Sequence, residues 1–210
     1  MKNQGSVFFD ISAVLLTGIG KFVFFDLLQK QFWFIMGASL FWLGYILYYL
    51  INNKSRLIQW GFRRKGFNES FRLLIPYAVF AIIVFIIIGF ITQKIILNWH
   101  IILSLIFYPL WGIAQQFIIL ALIAGNLKES GIGRLKEHHI IIITSLLFCI
   151  VHFPNYSLMA GTLLLAIVYT RIYFRHNNLW ALGIWHGWLG SFFYFFVLGK
   201  DAWLRYINSF

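Results

Sequence analysis

Residues 72–92 read RLLIPYAVFAIIVFIIIGFIT, and no charged side chain follows Arg72 until Lys94. A helix needs about 20 mostly apolar residues to cross the hydrocarbon of a bilayer, so this run predicts a transmembrane helix. Working outward from it, the chain divides into about seven such stretches, near residues 7–28, 31–52, 72–92, 97–126, 138–153, 157–174 and 179–198. The fourth is long enough to tilt and the fifth is short. Of the 210 residues 61% are hydrophobic and 11% are charged, whereas a soluble domain is about a quarter charged. The sequence therefore predicts an all-α, polytopic membrane helix bundle forming one membrane domain over 1–210. It excludes disorder, a coiled coil and a secreted disulfide scaffold, since the single Cys149 permits no intrachain bridge.

The net charge of +11 is explained by where the basic residues fall. With the N-terminus in the cytoplasm, Lys2, Lys54, Arg56, Arg63, Arg64, Lys65, Arg72, Lys128, Arg134, Lys136, Arg171 and Arg175 lie on the inner side. These are twelve of the 17 basic residues, as the positive-inside rule requires. No nucleic-acid reader motif accompanies the charge, so no nucleic-acid partner is expected. The block Arg56 to Arg72, with Trp60, Phe62 and Phe67 interleaved, reads as a positive-inside loop or as an interfacial segment on anionic membrane lipid. Asp10 interrupts the first apolar stretch where a signal peptide would need an unbroken core, so that stretch is expected to stay as an uncleaved span. Asp26 and Lys30, four apart, are expected to pair at the outer boundary.

Polar side chains inside spans are costly and so point to sites or to helix contacts. The fourth span carries Gln115 and Gln116, the fifth ends in Phe148, His152 and Asn155, and the seventh carries His186. Phe148 and His152 share a helical face, so the ring can pack on the imidazole. Gly183, Gly187 and Gly190 give the seventh span a small face for close helix packing or for substrate access. Helix position puts His152 near the outer end of its span and His186 nearer the inner half of its own. A short or re-entrant fifth helix would reconcile the two.

These elements resemble the CPBP superfamily, the CAAX-protease and bacteriocin-processing (Abi) membrane proteins. That family's pattern is Glu-Glu-x-x-x-Arg, then Phe-x-x-x-His, then His-x-x-x-Asn. Here the order is Gln115-Gln116-x-x-x-Leu120, then Phe148-x-x-x-His152 with Pro154-Asn155, then His186-x-x-x-Gly190, after an Asn178-Leu179-Trp180 lead into the last helix. The similarity covers about residues 97–198 and implies a bacterial-type plasma membrane. It also implies a site of Gln115, Gln116, His152 and His186 at the catalytic positions, with Phe148, Asn155, Gly187 and Gly190 beside the substrate. In active members the first Glu activates water, while His and Asn position it and stabilise the oxyanion. A carboxamide cannot take a proton at neutral pH, so Gln115 cannot serve as that base.

Three functions follow as expectations. The first is a non-proteolytic relative that binds a prenylated or transmembrane protein or peptide. The second is an active endopeptidase with a histidine base, and the third is a lipid or small-molecule binding or modifying protein. No cofactor and no metal site are expected, because catalytic zinc takes three protein ligands and the third is missing.

Overall fold

A computed structural model describes residues 4–131, 134–201 and 203–204. Lys2 of the charge distribution lies outside them. The described residues form helices joined by short turns, without a strand. Helix α1 (Gln4–Lys21) continues as a π-helical stretch, Phe22–Leu27, and is followed by α2 (Gln31–Asn52), the short α3 (Lys54–Trp60) and α4 (Phe67–Thr92). Next comes α5 (His100–Gln116), which runs on through a second π-helical stretch, Phe117–Gly125, into α6 (Asn126–Ser130). Then follow α7 (Glu137–Ile150), α8 (Tyr156–His176) and α9 (Leu179–Phe192), the last extended by π-helical Phe193–Leu198.

Six of these helices are long and apolar enough to cross a membrane: Gly5–Leu27, Gln31–Asn52, Phe67–Thr92, His100–Ser130, Tyr156–His176 and Leu179–Leu198. The fold is a polytopic all-α membrane bundle, and its spans lie within a few residues of those read from hydropathy. The long fourth span is a continuous helix of 31 residues. The short fifth is α7, whose 14 residues extend roughly 21 Å at 1.5 Å each, less than the ~30 Å of a hydrocarbon core.

Asparagine punctuates the chain. Asn53, Asn155 and Asn178 cap α3, α8 and α9, their side chains accepting from the backbone N–H of Arg56, Leu158 and Ala181. Each satisfies a donor that a helix start leaves unpaired. Asn177 closes α8 in the left-handed region, at φ 46°, which Asn tolerates better than most residues. Two consecutive asparagines thus end one helix and start the next.

The chain divides into two compact units. The first comprises Met1–Phe62 and Phe117–Asn177. Its core gathers Trp42, Trp60, Phe117, Leu120, Ile123, Ile140 and Tyr169, with the Trp60 ring 5.1 Å from Phe117 and 4.9 Å from Tyr49. Set among these apolar side chains is a polar knot. Asp10, fully buried, accepts from Arg56 Nη2 at 3.0 Å, from Asn126 Nδ2 at 2.8 Å and from the Tyr45 hydroxyl. Arg56, placed by sequence among the inner loop charges, is a core residue of this unit.

The Asp26–Lys30 pair is corrected by the same unit. Lys21 donates to Asp26 at 2.9 Å instead. The reason is local: residues 22–27 are π-helical, and a π-turn brings positions five apart into register, so Lys21 meets Asp26 before the chain turns away at Lys30.

The second unit comprises Arg63–Gln116 and Asn178–Phe210, and α5 packing on α9 is its axis. A Cβ on Gly112 would run into the Gly183 carbonyl and the Gly187 amide, and one on Gly187 would run into the Pro109 backbone. The two backbones therefore touch, as small residues permit in membranes. Pro109 lacks an N–H and releases the carbonyl four residues back; the Trp188 indole donates to that Leu105 oxygen at 3.0 Å. Trp185 donates to the Phe71 carbonyl at 3.2 Å and ties α4 to α9. Asn178, besides capping α9, donates to the carbonyls of Arg63 (2.6 Å) and Lys65 (3.2 Å) and holds the basic turn against the start of that helix.

Candidate functional site

Gln116 is the last α-helical residue of α5 and is 1% exposed, and His186, mid-way along α9, is 6% exposed. The close α5–α9 packing sets these side chains facing each other, with Gln116 Nε2 2.7 Å from His186 Nδ1. A carboxamide nitrogen only donates, so Nδ1 accepts and the ring proton of neutral His186 sits on Nε2. Gln116 Oε1 is buried and accepts no hydrogen bond among the described residues. The pair is an amide and an imidazole in contact, with an acceptor oxygen and a ring N–H and without a carboxylate. It is the second glutamine of the pair, Gln116, that meets the histidine. Gln115, one residue and about 100° around the helix, is half-buried.

His152 belongs to the first unit, in the turn between α7 and α8. Phe148 lies across its ring, centroids 5.0 Å apart at 88°, the packing read from their four-residue spacing. A carbonyl can only accept, so Nδ1–H donates to the Phe148 oxygen at 2.7 Å and neutral His152 carries its lone pair on Nε2. The two histidines thus hold opposite tautomers. The turn is fixed at both ends: Asn155 accepts from Leu158 N–H at 3.0 Å, and Lys21 donates to the Phe153 carbonyl. Asn155, a candidate substrate contact, therefore spends its side-chain oxygen on capping α8.

Of the candidate residues on α9, Gly187 lies against Pro109 and Gly190 lies beneath the Tyr108 ring. Leu120, at the position the resemblance gives to Arg, is fully buried. Among the described residues no three His, Cys, Asp or Glu side chains gather as metal ligands do.

Other polar groups were not singled out from the sequence. Asn126 and Tyr45 complete the Asp10 knot; an Asn between an apolar run and Lys128 was the available signal. His100 donates Nδ1–H to Asp201 at 2.7 Å, beside Asn98 Nδ2 at 2.8 Å and the backbone N–H groups of Trp203 and Leu204 at 3.0 Å. Burial alone would raise the Asp201 carboxyl, but these hydrogen bonds outweigh it and hold it below its usual value. Tyr108 was also passed over, though a Tyr-Pro step inside an apolar span marks it. Compared with known protein families, with curated proteins and with solved structures, the chain matches none of them.

Proposed function

We propose that this membrane bundle is a non-proteolytic relative of the CPBP superfamily that binds a lipidated or transmembrane partner through hydrogen bonds at its intramembrane polar pair. The observation that carries the reading is the buried Gln116–His186 contact at 2.7 Å. Where the family pattern has a carboxylate, this chain has an amide already committed to the histidine, and an amide cannot draw a proton from water. What it offers is an acceptor oxygen in apolar surroundings, where an unpaired polar group is costly and a donor on a ligand is correspondingly favoured. The charge distribution supports an N-terminus in the cytoplasm, which reporter fusions to successive loops would test, and the bacterial-type plasma membrane rests on the resemblance alone.

The test uses the full chain in lipid nanodiscs with a prenylated CAAX peptide and a pool of transmembrane peptides. Binding without cleavage, weakened by Gln116→Leu and by His186→Ala, is the expected result. Cleavage that depends on His152 would overturn it.

One observation favours a second reading, an active hydrolase. The Phe148 carbonyl holds the Nδ1 proton of His152, which leaves Nε2 in the form a general base needs. Cleavage abolished by His152→Ala and indifferent to Gln116→Leu would select it.

A further inference from the structure

The lead Asn178-Leu179-Trp180 into α9 has a task apart from the polar pair. Asn178 is fully buried, and its side chain is engaged at both ends. The oxygen accepts from the Ala181 N–H at 3.0 Å, while the amide donates to the carbonyls of Arg63 at 2.6 Å and Lys65 at 3.2 Å. One side chain therefore caps α9 and pins the backbone of the turn that precedes α4. With two of its carbonyls held by one amide, the stretch displays Arg63, Arg64 and Lys65 from a fixed frame. Leu179, next in the chain, is fully buried, and Trp180 is 41% exposed.

Positive charge gathers at this end of the second unit. Residues 63–72 carry Arg63, Arg64, Lys65 and Arg72 against the single acid Glu69. Arg64, Lys65 and Arg72 are exposed, and none of their side chains makes an ion pair or hydrogen bond among the described residues. Elsewhere Lys21, Arg56 and Lys128 each meet a carboxylate. The turn also stands at a membrane boundary, because the helices that start at the clamp, Phe67–Thr92 and Leu179–Leu198, are both long and apolar enough to cross. An exposed tryptophan with clustered Arg and Lys is the side-chain set of a headgroup layer. Topology asks only that basic residues lie on one side of the membrane; it does not need a buried asparagine to fix the backbone that bears them.

We propose that the Arg63–Lys65 turn, clamped by Asn178, is a binding site for the headgroup phosphate of an anionic membrane lipid. This goes beyond the binding function proposed above and does not depend on it. Guanidinium groups match phosphate oxygens in pairs and lysine adds a point charge. Past the turn, Leu73, Tyr77 and Phe80 share one face of α4 and are all exposed, which gives acyl chains an apolar surface to lie on. A free phosphate ion has no chains to use it. A zwitterionic lipid has the phosphate but brings an ammonium group that the basic turn repels.

The experiment titrates the full chain in detergent with phosphatidylglycerol or phosphatidylcholine and counts bound lipid by native mass spectrometry, with thermal unfolding to verify each variant. Phosphatidylglycerol should bind more tightly, and inorganic phosphate at equal concentration should not displace it. Arg64→Gln and Lys65→Gln should each reduce the preference about fivefold, the worth of one basic side chain near an anionic surface. Lys94→Gln combined with Lys200→Gln, which removes two charges from the other end of the unit, should leave it unchanged. Asn178→Ser keeps a capping oxygen but has one donor for two carbonyls, and should lower the preference with every charge in place. Equal binding of the two lipids by wild type, or the same loss from the Lys94→Gln, Lys200→Gln variant, overturns the site. Displacement by inorganic phosphate overturns lipid as its ligand, and an unchanged preference in folded Asn178→Ser overturns the clamp.

Discussion

Asp10 and Arg56, 46 residues apart in sequence, form an ion pair of 3.0 Å in which the carboxylate is fully buried and the guanidinium side chain is 9% exposed. The Arg56 guanidinium also sits 5.2 Å from the Trp60 ring centroid and 6.0 Å from that of Tyr49, a favourable position for a cation. Removing one partner leaves an uncompensated buried charge. Asp10→Ala should therefore cost about 3–5 kcal/mol, read as a lowered unfolding midpoint in detergent. Asp10→Leu combined with Arg56→Met, which removes both charges, should cost less than Asp10→Leu alone.

Glycines on different helices should respond in opposite senses. Gly187→Ala drives a methyl group into the Pro109 backbone and should destabilise by about 1–3 kcal/mol, the usual cost of overpacking. Gly44 on α2 has nothing within 4 Å of an added Cβ, so Gly44→Ala should be neutral or gain up to about 1 kcal/mol from the entropy glycine costs a helix. Thermal unfolding of the two single variants is the comparison.

Gln116→Leu takes away the donor to His186 Nδ1 in a site where both residues are buried. Leaving a buried acceptor without its donor costs about 1–3 kcal/mol. The double change Gln116→Leu with His186→Leu should be less harmful than the sum of the two, because each single variant already removes the same contact. A double-mutant cycle on unfolding midpoints measures the coupling.

Acid should loosen the junction between the start of α5 and residues 201, 203 and 204. Asp201 has a carboxyl held below its usual 3.8 by His100, Leu204 N–H and Asn98. A carboxyl depressed by folding contributes stability above its unfolded pKa and loses it as pH falls through the lower folded value. The contacts are therefore intact at neutral pH and fail only below about pH 4. His100→Ala removes one of these donors and should move the transition upward, as hydrogen exchange at residues 98–100 and 203–204 would report.

The spans were legible because apolar runs of membrane length announce themselves, and α2 and α9 begin at the residues that hydropathy gives. The Phe148–His152 contact was legible for the same reason, being a matter of four-residue spacing. Lys21 with Asp26 was not, since the pairing depends on a π-helical stretch, and nothing in FVFFDL distinguishes five-residue from four-residue periodicity. Arg56 looked like a loop charge because its partner lies in a different span; a charge count sees side of the membrane and not depth. The contact of Tyr108 with Gly190 was missed because only the packing of α5 on α9 brings that glycine beneath the ring.

The two acidic side chains of the first helix differ in how long they must wait during synthesis. Asp26 finds Lys21 five residues away, so that pair can enter the bilayer already neutralised, before any later helix exists. Asp10 depends on Tyr45, Arg56 and finally Asn126, which lies 116 residues downstream. Until the ribosome has passed that asparagine, the helix that bears Asp10 carries an incompletely satisfied carboxylate, so its final seating waits on a residue made long after it.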